Sequence, residues 1–168
     1  VTDAKAVCAR SMEIMANGTP ADFAEVIHPD AYNRESVDEP PASRGRGPDA
    51  FYATALWLRA TFSDMRWEVH EAAQDGDLVA LHTTMYGRQT GPFVPYDENG
   101  RPARAFAPTG RRFAVRHTHW FRVADGKVIE HWANRDDMGM ALALGWLPPS
   151  PPHLLRSLLA LRRARRMS

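Results

Sequence analysis

Two histidines two residues apart, His117 and His119, stand in a run that alternates as a β-strand does. Phe113, Val115, His117, His119, Phe121 and Val123 share one face, while Arg112, Ala114, Arg116, Thr118, Trp120 and Arg122 share the other. An otherwise apolar face is an unusual place for imidazole. Asp125-Gly126 then marks a tight hairpin, and a second alternating run follows. A two-residue loop sets Val128, Glu130, Trp132, Asn134 and Asp136 beside the histidines; a three-residue loop would bring Lys127, Ile129, His131, Ala133 and Arg135 there instead. The first arrangement is preferred because the second buries two cations. The expectation is a concave wall carrying His117, His119, Glu130, Asn134 and Asp136 among aromatic residues. Imidazole and carboxyl groups so placed could trade protons with a bound molecule, which is general acid–base chemistry.

Other chemistries fit less well. His117 and His119 with Glu130 or His131 could supply three metal ligands, but no further Cys or His cluster supports them, and no metal or cofactor is expected. The glycines at 45 and 47 form no phosphate cradle, because no strand leads into them and no Lys-Ser/Thr follows. Cys8 is the only cysteine, which excludes an internal disulfide and points to a reducing compartment. Nothing around it would activate a nucleophile, so it reads as a small core side chain.

The elements that must position this wall follow from periodicity. Helices are expected over residues 3–17, stopped by Gly18, and after Thr19-Pro20 as far as His28-Pro29-Asp30. Residues 34–46 form a polar loop rich in Pro, Ser and Gly, and a third helix opens at Gly47-Pro48-Asp49 with Phe51, Ala55, Leu58 and Phe62 along one stripe. From Met65 the period becomes two: Met65, Trp67 and Val69 alternate with charged residues, Asp75-Gly76 turns, and residues 78–89 form a long strand. Residues 91–110 carry four prolines together with Phe93, Val94, Tyr96 and Phe106, which favours a lid over a pocket as much as a solvated excursion. A short helix is expected over 138–144. Residues 150–168 make a separate basic tail, helical, with leucines along one side. The domain proper is residues 1–149.

Helices first and a meandering sheet after them give an α+β fold: N-terminal helices packed on a strongly curved antiparallel sheet, enclosing an apolar cavity. Its 44% hydrophobic and 24% charged residues are ordinary for a globular protein, and a net charge of +1 calls for no nucleic-acid partner. No apolar run approaches transmembrane length and the N-terminus lacks a signal-peptide core, so a cytoplasmic protein without integral membrane association is expected.

The string HWFRVADGKVIEHWANRDDMGMALALG, with HPDAYN and GPDAFYATALWLRATFSDMRWEVH before it, resembles the SnoaL-like polyketide cyclases of the NTF2-like superfamily over about residues 5–147. The resemblance implies a cone-shaped fold and, as activity, ring closure of a hydrophobic, polyketide-like substrate by intramolecular aldol condensation. It also implies alternatives: an isomerase, a dehydratase, an epoxide hydrolase or a non-catalytic binder. The family's strand histidine corresponds to His119. Its acid–base aspartate often follows Glu-His-Trp directly, where this chain has Ala133. Asp136 is therefore expected as the proton shuttle with Glu130 as its rival, and His119 as donor to the developing oxyanion, helped by His117 or Asn33. Tyr32, Asn33, Phe51, Phe121, Trp132 and Asn134 are the expected pocket residues. Structural roles compete with these: Asp136 as a helix cap, Glu130 as partner of Arg116 or Arg122, both histidines as satisfied core groups, and Asn33 as a turn residue. The exposed sheet face of such cones commonly pairs, which makes a homodimer the expected assembly.

Overall fold

The computed structural model describes residues 3–167. Helices α1 (Ala4–Asn17) and α2 (Pro20–Val26) lead into strand β1 (Ile27–Asn33). Two short 3-10 turns, Ser36–Asp38 and Pro41–Arg44, precede helix α3 (Gly47–Thr61), and strands β2 (Phe62–Asp75), β3 (Leu78–Gln89), β4 (Arg112–Ala124) and β5 (Lys127–Arg135) follow. Helices α4 (Asp137–Leu144) and α5 (Pro151–Met167) close the chain. The helix starts obey local chemistry: Asp3 caps α1, and Thr19 and Asp22 form a reciprocal capping box on α2.

The strands form one curved, open sheet in the order β1-β5-β4-β3-β2. The three hairpin-type pairs are antiparallel, but β1 runs parallel to β5, so the sheet is mixed rather than wholly antiparallel. β1 occupies the stretch where the sequence suggested only a helix end and a turn. Pro29 within it donates no hydrogen bond, and an edge strand tolerates that.

The inner face of the sheet packs on α1, α2 and α3. Val79, Leu81, Phe121 and Val128 meet Cys8, Ile14, Phe23, Ile27, Phe51 and Ala55 in one core cluster. Burial pushes the Cys8 thiol up to about 12, so it carries no thiolate at neutral pH. A second cluster gathers Phe62, Met85, Phe113, Val115, Leu144 and Trp146. Residues 91–110 cover this end as a packed flap: Phe93 and Phe106 pair with each other and stack on Trp146, at 5.4 and 4.4 Å between ring centroids. Helix α5 lies against the flap, with Arg156 and Arg165 donating to the Pro108 and Pro102 carbonyls and the Ser157 hydroxyl accepting from Ala107 N–H. Leu154, Leu155, Leu158 and Leu159 stay exposed.

The β4–β5 hairpin decides what the inner face holds. Its loop has two residues, Asp125 and Gly126, both at positive φ (52° and 73°), as the tightest hairpins require. The register does not continue evenly from there. Val123 pairs with Val128 but Arg122 pairs with Glu130, leaving Ile129 as a bulge. One extra residue turns every later side chain of β5 to the opposite face. His131 thus joins the histidine face, opposite Phe121, while Glu130, Trp132 and Asn134 lie with Arg122, Trp120 and Thr118 on the outer face. The cations that argued against this arrangement stay out of the core. Lys127 precedes the bulge and reaches the Ala24 carbonyl, and Arg135 sits at the rim between Glu35 and Asp137.

Candidate active site

His117 and His119 project from β4 into the interior and are buried, their ring centroids 5.5 Å apart. His131 of β5 places Nε2 3.0 Å from His119 Nδ1. β1 runs alongside with Asn33 level with His131, and Asn33 Oδ1 lies 2.9 Å from His131 Nδ1. The other side of that amide reaches Glu39, Nδ2 to Oε1 at 3.4 Å, and the second carboxylate oxygen of Glu39 bonds the Thr54 hydroxyl of α3. A continuous polar chain therefore runs Glu39, Asn33, His131, His119, buried at both ends and partly exposed at Asn33 and His131.

The proton positions in this chain follow from one fixed donor. Glu35 N–H donates to Asn33 Oδ1 at 3.1 Å, and a backbone N–H can only donate, so the amide oxygen faces His131 and the NH2 faces Glu39. His131 must then carry its proton on Nδ1 and accept at Nε2. His119 must donate from Nδ1, which leaves a bare lone pair at its Nε2. The rings are neutral: burial, with the nearby Arg135 cation, pushes His117 down to about 4 and His131 to about 3. Burial and the neighbouring imidazoles hold His119 well below the usual range.

Among the described residues, four buried side-chain polar atoms have no hydrogen-bond partner: Ser43 Oγ, Trp67 Nε1, His117 Nε2 and His119 Nε2. Native interiors rarely leave such atoms unmet, since each costs about 1–3 kcal/mol. His119 Nε2 can only accept and the Trp67 indole N–H can only donate, while the Ser43 hydroxyl lies beside the Glu39 carboxylate.

The remaining candidate residues fall elsewhere. Phe51 and Phe121 line the interior, Phe121 with its ring centroid 5.1 Å from that of His131. Glu130 does not share the histidine wall, because the Ile129 bulge turns it outward. There it is bonded by the Tyr32 hydroxyl and by Arg34, with Arg122 at 3.5 Å. Burial pulls its carboxyl up, but those donors outweigh burial and hold it below its usual range. Tyr32 is thereby an outer-face residue too. So is Trp132, stacked on Trp120 at 6.2 Å with the Arg34 guanidinium 4.4 Å above its ring. Asn134 accepts from the Trp120 indole at 3.1 Å. Asp136 is exposed and caps α4, accepting from Gly139 N–H at 2.8 Å. No group of three His, Cys, Asp or Glu among the described residues could hold a metal; Glu130 faces away and the second nitrogen of His131 is spent on His119. His131 belongs to the alternative hairpin face weighed from the sequence, and Trp67 was legible as a strand residue. Glu39 carries no sequence signal, being one acid in a polar, proline-rich loop.

A family model for SnoaL-like polyketide cyclases matches residues 6–144. The chain belongs to the SnoaL-like polyketide cyclase family. It is 34% identical over 143 residues to aklanonic acid methyl ester cyclase DnrD of Streptomyces peucetius, covering 84% of this chain and 90% of that one. It is also 34% identical over 129 residues to nogalonic acid methyl ester cyclase of Streptomyces nogalater, covering 76% and 87%. The crystal structure of IdmH, a putative polyketide cyclase from Streptomyces antibioticus, superposes with a TM-score of 0.63 at 27% identity, covering 85% of this chain and 99% of IdmH. Within this SnoaL-like chain, Ala133 stands directly opposite His119 across the hairpin.

The position of Asp136 makes a direct prediction. Asp136→Ala removes the α4 cap and costs about 1 kcal/mol in urea unfolding, while turnover stays within about threefold of wild type, because the exposed carboxylate is bonded to Gly139 N–H.

Proposed function

We propose that this protein closes a ring in a polyketide-derived ester by intramolecular aldol condensation, with His119 as the base. The observation that carries the reading is the bare, buried Nε2 of His119 beside a second unpartnered imidazole nitrogen, in a chain of a cyclase family. His119 Nε2 takes a proton from a carbon flanked by two carbonyls, and the C–H electron pair becomes an enolate. The enolate carbon attacks a second carbonyl of the same molecule, and the resulting alkoxide recovers the proton from His119. Trp67 N–H and the His117 ring are the groups available to stabilise the oxyanion. The apolar walls hold the chain folded so that the two carbons meet. Neither a nucleophile nor an external redox partner enters this balance.

Nogalonic acid and aklanonic acid methyl esters, the compounds named for the relatives, are the first substrates to try. Ring closure followed by liquid chromatography and mass spectrometry should run well above the uncatalysed rate. Binding of these esters without acceleration would replace the cyclase reading with that of a hydrophobic-ligand binder.

We further propose that two copies pair through the outer sheet face, where the stacked Trp120 and Trp132 remain half-buried. Light scattering should give twice the chain mass for the wild type and the single mass for Trp120→Glu. A monomeric wild type, or a variant that stays dimeric, contradicts the pairing.

A further inference from the structure

The position where the family resemblance calls for an acid–base aspartate holds Ala133, and the carboxylates that the sequence offered instead, Asp136 and Glu130, are committed to a helix cap and to an outer-face cation cluster. The histidine chain nevertheless ends on a carboxylate. Glu39 is buried and lies between the two 3-10 turns; it reaches the histidines through Asn33 of β1, on the same side of β4 as Ala133 of β5. Its carboxylate bonds Asn33 and Thr54 and has the Ser43 hydroxyl beside it. Buried carboxylates are uncommon, and costly unless they are hydrogen-bonded or paired.

We propose that Glu39 is the positioning carboxylate of this active site, acting on His119 through Asn33 and His131 in place of an aspartate at position 133. This rests on His119 being the base proposed above. Glu39 has two tasks in it. Its Oε1 accepts from the Asn33 NH2 and so adds to the orientation that Glu35 N–H sets, with the amide oxygen on His131 and the lone pair at His119 Nε2. Its negative charge offsets the positive charge that spreads over His119 and His131 once His119 has taken the substrate proton. The amide of Asn33 passes orientation and field along the chain, and no proton crosses it. Relays of this kind, in which an outer carboxylate supports a functional imidazole, typically change function 10–100-fold when broken.

The charge on Glu39 is itself adjustable. Burial pushes its carboxyl up to about 7, against the hydrogen bond from Thr54 and with the Asp38 carboxylate assisting. The groups facing it are Asp38 beside it in the chain, Ser43 of the second 3-10 turn, Thr54 of α3, and Asn33, His131 and Arg135 of the two strands. Arg135 draws the carboxyl down. His131 stays neutral down to about pH 3, so it does not titrate in the same range.

The test uses the full chain and three proteins: wild type, Glu39→Gln, and Glu39→Gln with Ala133→Asp. Glu39→Gln is expected to lower kcat 10–100-fold with KM within about threefold, and to remove the rise of kcat through neutral pH. Ala133→Asp in that background should recover at least about tenfold, because it returns a carboxylate beside His119 from the other strand. Independently of turnover, the imidazole N–H resonances of His119 and His131 in wild type should shift with a midpoint near pH 7 and be flat in Glu39→Gln. Wild-type kcat and pH profile retained in Glu39→Gln, or N–H resonances indifferent to Glu39, would overturn the inference while leaving the cyclase reading intact. If wild type does not cyclise either ester yet its N–H resonances follow Glu39, the functional reading fails and the relay stands.

Discussion

Replacement of His119 by glutamine should lower the rate of ring closure about 10²- to 10⁴-fold, the usual worth of a positioned general base. Glutamine is a near-isostere whose amide NH can still donate to His131 Nε2, so the core should survive the change. What it lacks is the lone pair aimed inward at Nε2, which the orientation of Asn33 assigns to His119. KM should move by less than about threefold, because loss of a group acting in the transition state leaves ground-state binding largely untouched. Steady-state kinetics on one of the methyl esters would read this. A variant that turns over within about threefold of wild type would mean that proton removal lies with another group.

The second large effect is on stability in mild acid. His117 and His131 have folded-state values of about 4 and about 3, and His119 is also well below the ordinary 6.5. Below pH 6.5 all three imidazoles take up protons in the unfolded chain and not in the folded one, so acid favours unfolding. Glu39 opposes this, since with a folded value of about 7 it binds its proton in the folded chain first, between about 7 and its ordinary 4.5. Three against one leaves the unfolded chain ahead by about two protons near pH 5.5, a loss of roughly 2.7 kcal/mol per pH unit as pH falls. Summed from pH 7 to pH 4.5 the net loss is roughly 5 kcal/mol, which brings a domain at the low end of the ordinary range of about 5–15 kcal/mol to its midpoint near pH 4.5. Urea unfolding followed by circular dichroism at pH 7.5, 6.0 and 5.0 would measure the slope. Equal stability at the three values would mean that the imidazoles are hydrated in the folded protein.

Much of this architecture could be read from residue order, and what could not has identifiable causes. The strand alternation through His117 and His119, the Asp125-Gly126 turn and the caps at Thr19 and Asp136 are local signals, and each local signal was legible. The competing structural roles of Asp136 and Glu130, a helix cap and a pairing with Arg122, were legible too, and the geometry shows both contacts. The Ile129 bulge was not. A single unpaired residue inverts the face of everything beyond it and leaves the hydrophobic pattern nearly unchanged, because Val128 precedes it and Trp132 is acceptable on either side. β1 was hidden for another reason: its partner lies about a hundred residues away, and Pro29 argues against a strand anywhere but at an edge. Glu39 was the least visible. Only the approach of β1, α3 and the 3-10 turns makes its environment, so a buried carboxylate looks like a solvated loop acid until the fold is assembled.

The central claim is that His119 Nε2 removes a carbon-bound proton, and isotope exchange at that carbon tests it without requiring the ring to close. With nogalonic acid methyl ester in deuterated buffer, the proton signal of the carbon between the carbonyls should disappear faster with wild-type protein than without it, and at the background rate with His119→Gln. Exchange as fast with His119→Gln as with wild type would contradict the claim.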